Sequence, residues 1–461
     1  MATIEADYLI IGAGAMGMAF ADSIVAETDA SIVIVDRYHQ PGGHWTTAYP
    51  YVRLHQPSAF YGVNSRKLGS DSIDRVGWNK GLYELATAGE VCAYFDQVMQ
   101  QQLLPTGRVA YFPMSEYLGD NCFRTLNHEV ERVKVRRRIV DAAYMRVVVP
   151  SMRPPGYSVD PGVICIAPND LPKHRDHYES YVIVGAGKTG MDAGLWLLRH
   201  GIGADKLRWI MPRDSWLLDR ASLQPGPEFI DAIRISIAKQ TEAILEATSV
   251  DDLFNRLERS GRLMRFDPTV RPTMYRCATV TRAELGQLRG IKDIVRLGHV
   301  QRIEANAIVL ERGTVSADAS TLYIDCTADG LERRPSAAVF DGDKITLQTV
   351  RGCQQVFSAA FIGHIEACYD GEAIKNELCV PVPHPDADID WISMTVAYNN
   401  NLLRWLDEPE LIRWLDDSRL DMLGHLRPRI PSDPAAIEST LDPIRTRLRA
   451  VNAKLKVLTG D

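Results

Sequence analysis

The sequence predicts an α/β protein in which one strand–loop–helix–strand unit occurs twice. The first copy spans residues 7–36 and the second spans residues 181–213. In each copy a short apolar run leads into a glycine-rich loop, a helix-compatible stretch and a second apolar run. Such continuous apolar runs are typical of parallel strands, because both faces of their sheet are covered. We therefore expect two Rossmann-like dinucleotide-binding domains, the second inserted into the first.

The first glycine loop reads Gly12-Ala-Gly14-Ala-Met-Gly17, and Asp36 ends the next strand 19 residues beyond Gly17. In this pattern the first glycine permits a tight turn, the second lets the backbone approach a pyrophosphate, and the third lets helix and strand pack closely. The pyrophosphate then lies at the helix N-terminus, where free N–H groups favour negative charge. A carboxylate at position 36 would accept hydrogen bonds from the adenosine ribose. We assign these residues and the adjacent Arg37 to an FAD site.

The second glycine loop carries Gly185, Gly187 and Gly190, with Lys188 and Thr189 between the last two. Its second strand leads to Arg213, where the first copy has Asp36. A guanidinium can pair with the 2′-phosphate of NADPH, whereas a carboxylate would repel it. We therefore predict an NADPH site. Asp214 follows directly and leaves some use of NADH open, and a surface loop cation is the alternative interpretation of Arg213.

The chain resembles the flavin-containing monooxygenase superfamily, which includes Baeyer–Villiger and N-hydroxylating enzymes of class B. Besides the two glycine loops, the resemblance is carried by Gly43, His44 and Trp45, which follow Gly42 in a GG-x-W element after the ribose-binding acid. Paired glycines allow close backbone approach to a flavin dinucleotide, and a tryptophan offers a flat wall. The resemblance implies bound FAD, reduction by NADPH and reaction with molecular oxygen.

The same resemblance points to Gln56, and next to His55, as the polar side chain beside the flavin ring. A preorganised amide there would stabilise a flavin hydroperoxide electrostatically. The alternative is that Gln56 caps a turn before Pro57.

Four further positions are assigned to cofactor binding by resemblance. The strand at 321–325 and the following CTADG look like a variant of the D-x-x-x-A-T-G segment that closes the FAD site, which implicates Asp325 and Thr327. Gly363 and His364 would bring backbone near the flavin, although an interior histidine is the competing interpretation of His364. The F-x-G-x-x-x-H element that family members carry before the second glycine loop is absent from the sequence.

The domain organisation follows from the positions of the two units. We expect residues 1–172 to form the first part of the FAD-binding domain, and residues 173–300 to form the NADP-binding domain with a helical insertion at 227–263. Residues 301–461 would complete the FAD-binding domain and end in helices such as 437–457. The helical insertion is a candidate lid or substrate wall.

Composition excludes several classes of function. The net charge of −7 disfavours a nucleic-acid partner, and the basic run at 132–138 (RVKVRRR) is interpreted as an exposed strand edge. No apolar run approaches the roughly 20 residues of a membrane span, and no secretion signal precedes the first strand, so we expect a cytoplasmic protein. The eight cysteines include no CxxC pair; we predict neither a metal site nor a redox-active dithiol, and interpret the cysteines as small core residues.

Three functions remain compatible with the sequence, and the oligomeric state stays open. The leading hypothesis is an NADPH-dependent flavin monooxygenase that oxygenates a small organic molecule through a C4a-hydroperoxyflavin. The second is an FAD-dependent NAD(P)H reductase or dehydrogenase without oxygen transfer. The third is a flavoprotein that senses the nicotinamide pool without turnover. In the first two, the reactivity belongs to the cofactor, and the protein supplies orientation and hydrogen bonds.

Overall fold

A computed structural model describes residues 3–174, 178–328, 330–332, 334–427, 431 and 433–460. The strands, in chain order, are β1 (Thr3–Ile11), β2 (Ile32–Val35), β3 (Val109–Phe112), β4 (Glu116–Gly119), β5 (Cys122–Arg124), β6 (Val130–Asp141), β7 (Val147–Val148), β8 (Ser158–Val159), β9 (Ile164–Ile166), β10 (Ser180–Val184), β11 (Leu207–Ile210), β12 (Ser215–Asp219), β13 (Leu263–Met264), β14 (Met274–Val280), β15 (Asp293–Val295), β16 (Val300–Ile303), β17 (Ala307–Leu310), β18 (Gly313–Ser316), β19 (Thr321–Asp325), β20 (Gly330–Leu331), β21 (Phe340–Asp341) and β22 (Lys344–Thr346). The helices are α1 (Ala15–Glu27), α2 (Ala88–Val98), α3 (Lys188–Arg199), α4 (Ile230–Glu246), α5 (Val250–Arg259), α6 (Arg282–Leu288), α7 (Gln355–Cys368), α8 (Glu372–Leu378), α9 (Asp390–Trp405), α10 (Pro409–Asp417) and α11 (Pro434–Thr459).

The first sheet contains the first glycine unit at its centre. Its order is β21–β22–β6–β1–β2–β3, with β5 added antiparallel to β6 and β4 added to β5. The contacts of β1 with β2 and β6, and of β2 with β3, are parallel. Every residue of β2 is buried, as are Leu9 and Ile10 of β1, because one face of the sheet shares an apolar core with helices α1 and α7 and the other face packs against Phe123 of β5. The predicted parallel arrangement of the first unit is confirmed.

The basic run at 132–138 forms part of β6, and most of it has an open side, in agreement with its interpretation as an exposed strand edge. Strand β6 pairs with β1 over residues 132–141, but on its other side the pairing with β5 ends at Arg132 and the pairing with β22 begins at Ile139. Its cations face carboxylates on the neighbouring strand: Lys134 Nζ lies 3.0 Å from Glu5 Oε1, and Arg136 Nε lies 3.0 Å from Asp7 Oδ1. Opposite charges on adjacent strands stabilise the pairing of this charged strand with β1.

The second sheet contains the second glycine unit. It has the order β15–β11–β10–β19–β9, and all of its contacts are parallel. Helix α3 follows β10, as the repeated unit predicts. A meander of β16, β17 and β18, extended by β8, buries apolar residues against Val182 and Val184 of β10. The α/β fold with two Rossmann-like units is confirmed.

The predicted domain boundaries at 172/173 and 300/301 are wrong, because strands on both sides of them join the second sheet. Strand β9 pairs with β19, and β19 pairs with β10. The chain returns to the first sheet only with β21 and β22. A short apolar run fits the interior of any parallel sheet, so its sequence does not specify which sheet it joins.

The predicted helical insertion is confirmed as helices α4 and α5, which accompany a small sheet of β13, β12 and β14. The C-terminal helices α9 and α11 pack against this insertion: Trp391, Val451 and Leu455 share an apolar cluster with Phe254 of α5. The insertion is thereby fixed to the C-terminal segment. Among the described helices, none combines the length and the apolar run needed to cross a membrane.

Candidate active site

A cavity of about 1310 Å³ lies between the two sheets, and both glycine loops open into it. Its walls also include the insertion, the segment before α7 and helix α9. Of the residues predicted from sequence to bind cofactor or to act in catalysis, those that line the cavity are Gly12, Gly14, Asp36, Arg37, Gly43, His44, Trp45, His55, Gln56, Gly187, Lys188 and Thr189. The fold therefore brings most of the predicted site residues to one place.

The first loop has the geometry expected of a pyrophosphate cradle. Gly12 has φ +107°, a conformation that residues with a Cβ rarely adopt. A Cβ added to Gly17 would collide with the carbonyl oxygen of Gly12, which explains the third glycine as a packing requirement. A Cβ added to Gly43 would lie 2.9 Å from Gly14 Cα. The GG-x-W element thus lies directly on the glycine loop, and the loop's free N–H groups face the cavity at the N-terminus of α1.

Asp36 follows the last residue of β2 and is only 4% exposed. Its carboxylate accepts hydrogen bonds from the backbone N–H of Ala13, at 2.5 Å, and of Tyr38, at 2.7 Å. Burial raises the pKa of Asp36, and these two bonds partly offset that effect. The two bonds fix the carboxylate at the cavity wall, where its remaining lone pairs fit ribose hydroxyl donors.

Helices α1 and α7 run side by side in the same direction. A Cβ added to Gly363 of α7 would lie 2.8 Å from Ser23 Cβ of α1, and His364 contacts Glu27 at the end of α1. The N-terminus of α7 therefore lies at the same end as the first glycine loop, and Gln354 and Gln355 line the cavity there. Two helix N-termini together make this end of the cavity favourable for anions.

The second loop repeats the geometry of the first. Gly185 has φ +118°, and a Cβ added to Gly190 would collide with the Gly185 carbonyl oxygen, as at Gly12 and Gly17. A Cβ added to Gly187 would meet nothing within 4 Å, so this backbone is open to a ligand. Lys188 forms an ion pair with Asp192 one turn along α3.

Arg213 lies beside the second unit but is not among the described residues that line the cavity. Its Nη2 is 3.0 Å from Asp386 Oδ1, and Arg276 Nε lies 2.7 Å from the same oxygen. One carboxylate is thus shared by two guanidinium groups, of which Arg276 faces the cavity. No sequence motif marks Arg276 as a binding residue, because only the fold brings β14 beside the end of β11. The neighbouring Asp214 forms an ion pair with Arg296 at 2.7 Å.

Gln56 and His55 both line the cavity, as does His44. Burial lowers the pKa of His55 well below its usual value, with further contributions from Lys188 and Arg220, so its imidazole is neutral near pH 7. Burial also lowers the pKa of His44 to about 4. The Trp45 indole N–H donates to Tyr61 Oη at 2.6 Å, which fixes the indole in the wall. The cavity wall at this point is therefore neutral and partly aromatic.

The four cofactor residues that were assigned by resemblance to later segments, Asp325, Thr327, Gly363 and His364, do not line the cavity. Asp325 is 2% exposed and caps the turn after β19, where its Oδ1 accepts from the Thr327 N–H at 3.1 Å. Strand β19 belongs to the second sheet and not to the FAD-binding sheet; of the segment that follows it, Cys326 and Ala328 line the cavity. Gly363 and His364 lie about 12 Å along α7 from its start, at the helical rise per residue. The prediction that these two residues bring backbone near the flavin is wrong. Gly363 allows α7 to approach α1, and His364 is an interior histidine whose Nδ1 lies 2.7 Å from Glu27 Oε2.

Two cysteines contradict the expectation that all eight are isolated core residues. Cys277 and Cys353, separated by 76 positions, form a disulfide with a Cα–Cα distance of 6.5 Å, and both line the cavity. Spacing rules for CxxC could not detect this pair, since the two residues come from different units. The free cysteines among the described residues are Cys92, Cys122, Cys165, Cys326, Cys368 and Cys379.

The cations that line the cavity outnumber the carboxylates, although the whole chain is acidic. The cations are Arg37, Arg146, Lys188, Arg262, Arg276, Arg334 and Arg351, and the carboxylates are Asp36, Glu116 and Asp141. A concave surface with excess positive charge attracts anionic ligands such as dinucleotides.

Comparison with known proteins supports the assignment of the N-terminal unit. The family model for NAD(P)-binding Rossmann-like domains matches residues 10–64, which confirms the predicted dinucleotide-binding unit. A ferredoxin–NADP reductase of Salinispora tropica is 29% identical over 92 residues, which are 20% of this chain and 28% of that protein.

Several solved structures that align with the chain are named as monooxygenases. A steroid monooxygenase bound to NADP aligns at 12% identity and a TM-score of 0.47, over 99% of this chain and 97% of that one. A flavin monooxygenase mutant from Stenotrophomonas maltophilia aligns at 12% identity and a TM-score of 0.46, over 82% and 100% of the two chains.

A full-length relative is found in Mycobacterium tuberculosis (strain H37Rv). The protein named "Uncharacterized protein Rv2000" is 61% identical over 456 residues, which cover 99% of this chain and 85% of the relative. The corresponding protein of Mycobacterium bovis, Mb2023, shows the same identity and coverage. With this identity over nearly its whole length, the chain belongs to the protein family of Rv2000.

Proposed function

We propose that the protein is an FAD-dependent oxidoreductase that uses NADPH and acts as a monooxygenase on a small organic molecule. The observation that carries the proposal is that two glycine loops of the same geometry open into one cavity. A cavity of about 1310 Å³ exceeds the roughly 300–1,000 Å³ of a typical small-molecule site. Such a volume suits a space shared by a flavin, a nicotinamide and a substrate.

The first unit fits FAD. Gly12 and Gly14 leave the backbone open beside the N-terminus of α1, and Asp36 presents a fixed carboxylate for the ribose. The N-terminus of α7 supplies a second positive dipole end along the same wall, where it would stabilise negative charge on a reduced flavin.

The second unit fits NADPH. Gly187 leaves space at the N-terminus of α3, and Lys188 and Thr189 line the cavity beside it. We assign recognition of the 2′-phosphate to Arg213 together with Arg276. The two guanidinium groups lie side by side on the carboxylate of Asp386, and Arg276 faces the cavity.

Bound FAD would supply two-electron chemistry between the nicotinamide and oxygen. The protein's own groups would orient the reactants and keep water away from them. Gln56 places a neutral amide donor in the cavity wall, and the depressed pKa of His55 keeps that imidazole uncharged. A neutral donor in the cavity wall stabilises developing negative charge, which is the role we assign to Gln56.

The proposal is tested by measuring NADPH oxidation, oxygen uptake and hydrogen peroxide for the purified protein with a panel of small amines, sulfides and ketones. We expect NADPH oxidation in air, and a compound that lowers the peroxide released per NADPH while an oxygenated product appears. The Gly187→Val variant is the control, since it should retain FAD but not respond to NADPH. If one hydrogen peroxide is released per NADPH oxidised with every compound, the protein does not transfer oxygen and is a reductase or an oxidase.

A further inference from the structure

The disulfide between Cys277 and Cys353 connects the two nucleotide units across the cavity. Cys277 belongs to β14 in the insertion of the second unit, and Cys353 lies two residues before α7 of the first. Both residues are half-buried and face the cavity into which the glycine loops open. The two sulfur atoms are thus accessible from the cavity and not enclosed in a protein core.

The backbone on both sides is shaped to present these sulfurs. Cys277 has φ +54° and Cys353 has φ +58°, a left-handed region that non-glycine residues rarely adopt. The pairing of β12 with β14 also shifts here: Trp216 pairs with Tyr275 and Leu218 pairs with Thr279, so residues 276–278 form a bulge. Bulges re-aim side chains, and this one directs Cys277 into the cavity.

The position of Cys353 favours redox chemistry at its sulfur. It lies two residues before α7, whose N-terminal end is at the same end of the cavity as the predicted FAD loop. The positive end of a helix stabilises a thiolate, and a stabilised thiolate makes a disulfide easier to reduce. The Met394 sulfur lies 3.9 Å from Cys353 Sγ.

We propose that Cys277 and Cys353 form a second redox centre, which NADPH reduces to a dithiol through the bound flavin. In the net step the hydride of NADPH and one proton from solvent are consumed, the S–S bond breaks, and each sulfur gains a hydrogen. The products are NADP⁺ and two thiols, so atoms and electrons balance. The inference rests on the proposed FAD and NADPH sites, and it adds a thiol–disulfide couple to them.

The test uses the holoprotein under anaerobic conditions. The protein is mixed with NADPH, or with NADP⁺ as a control, and free thiols are then alkylated and the peptides analysed by mass spectrometry. We expect the Cys277 and Cys353 peptides to be cross-linked with NADP⁺ and singly alkylated at both positions after NADPH. Anaerobic titration should consume about two NADPH per FAD, because flavin and disulfide each accept two electrons.

Variants separate this centre from the flavin. Cys353→Ser, and Cys277→Ser if the first variant folds poorly, should reduce consumption to about one NADPH per FAD. Cys122→Ser, in strand β5 away from the cavity lining, should leave it at about two. Flavin that is bleached by NADPH while the cross-link persists would refute the second redox centre alone. Flavin that NADPH does not bleach would refute the proposed function and this inference together.

Discussion

Replacing Gly14 with valine should remove FAD without unfolding the protein. Gly14 has φ −71°, which any residue adopts, and an added Cβ would lie 3.6 Å from Gly43 Cα, an ordinary van der Waals distance. The branched side chain would instead occupy the cavity space in which the pyrophosphate should bind. The expected defect is therefore in the ligand and not in the fold.

The magnitude follows from the contacts that valine would displace. A hydrogen bond to a charged group contributes about 1.5–3 kcal/mol, and the loss of two such bonds to the pyrophosphate costs about 3–6 kcal/mol. The affinity for FAD should fall by about 10²- to 10⁴-fold. The assay is flavin released per chain on denaturation, together with a thermal unfolding curve of the cofactor-free protein.

Two matched variants complete the experiment. Gly187→Val introduces the same change in the second loop and should keep FAD while abolishing flavin reduction by NADPH. Gly17→Ala should destabilise the cofactor-free protein itself, because its Cβ would collide with the Gly12 carbonyl oxygen. Normal flavin content in Gly14→Val, or flavin loss in Gly187→Val with retention in Gly14→Val, would refute the assignment of the two loops.

Three further predictions concern side chains in the cavity wall or beside it. Arg213→Ala should raise the KM for NADPH about tenfold more than the KM for NADH. This is the lower end of the effect of losing one charge-assisted contact, because Arg276 remains. Equal effects on both KM values would show that Arg213 does not discriminate between NADPH and NADH. Gln56→Ala should leave flavin content and its reduction rate nearly unchanged but divert electrons to hydrogen peroxide, in line with the loss of about 3 kcal/mol typical for one preorganised donor; unchanged coupling would move the role to His55. The cofactor-free protein should lose stability as the pH falls from about 6.5 towards 4, because His44, whose folded pKa is lowered, takes up its proton in the unfolded chain first. In denaturant titrations, the free energy of unfolding should depend less steeply on pH in His44→Gln than in the unsubstituted protein, and the remaining dependence is due to His55. The same slope in both proteins would contradict this explanation.

The parts of the site that lie within one repeated unit could be predicted from the sequence. Gly12, Gly14, Gly17 and Asp36 are close along the chain, and their spacing alone fixes the turn, the helix start and the strand end. The second loop follows by the same local rules. The structure places both loops as expected because local backbone geometry determines them.

The parts that depend on distant contacts could not be predicted. The sequence of β19 is compatible with either parallel sheet, so it does not reveal that Asp325 belongs to the second sheet. Gly363 resembles a ligand-contacting glycine, but it is required by the close packing of α7 on α1. The disulfide joins residues that are 76 positions apart, and Arg276 reaches Asp386 only after β14 has packed. In each case the partner lies far away along the chain, and residue spacing carries no information about it.

Two dinucleotides should bind to one cavity of this protein and exchange electrons there. The decisive experiment mixes the purified protein with NADPH in the absence of oxygen, follows the flavin absorbance, and identifies the released cofactor. We expect a yellow protein that contains FAD and that NADPH bleaches, whereas the Gly187→Val variant stays yellow. A protein that retains no FAD, or an FAD that neither NADPH nor NADH reduces, would contradict this expectation.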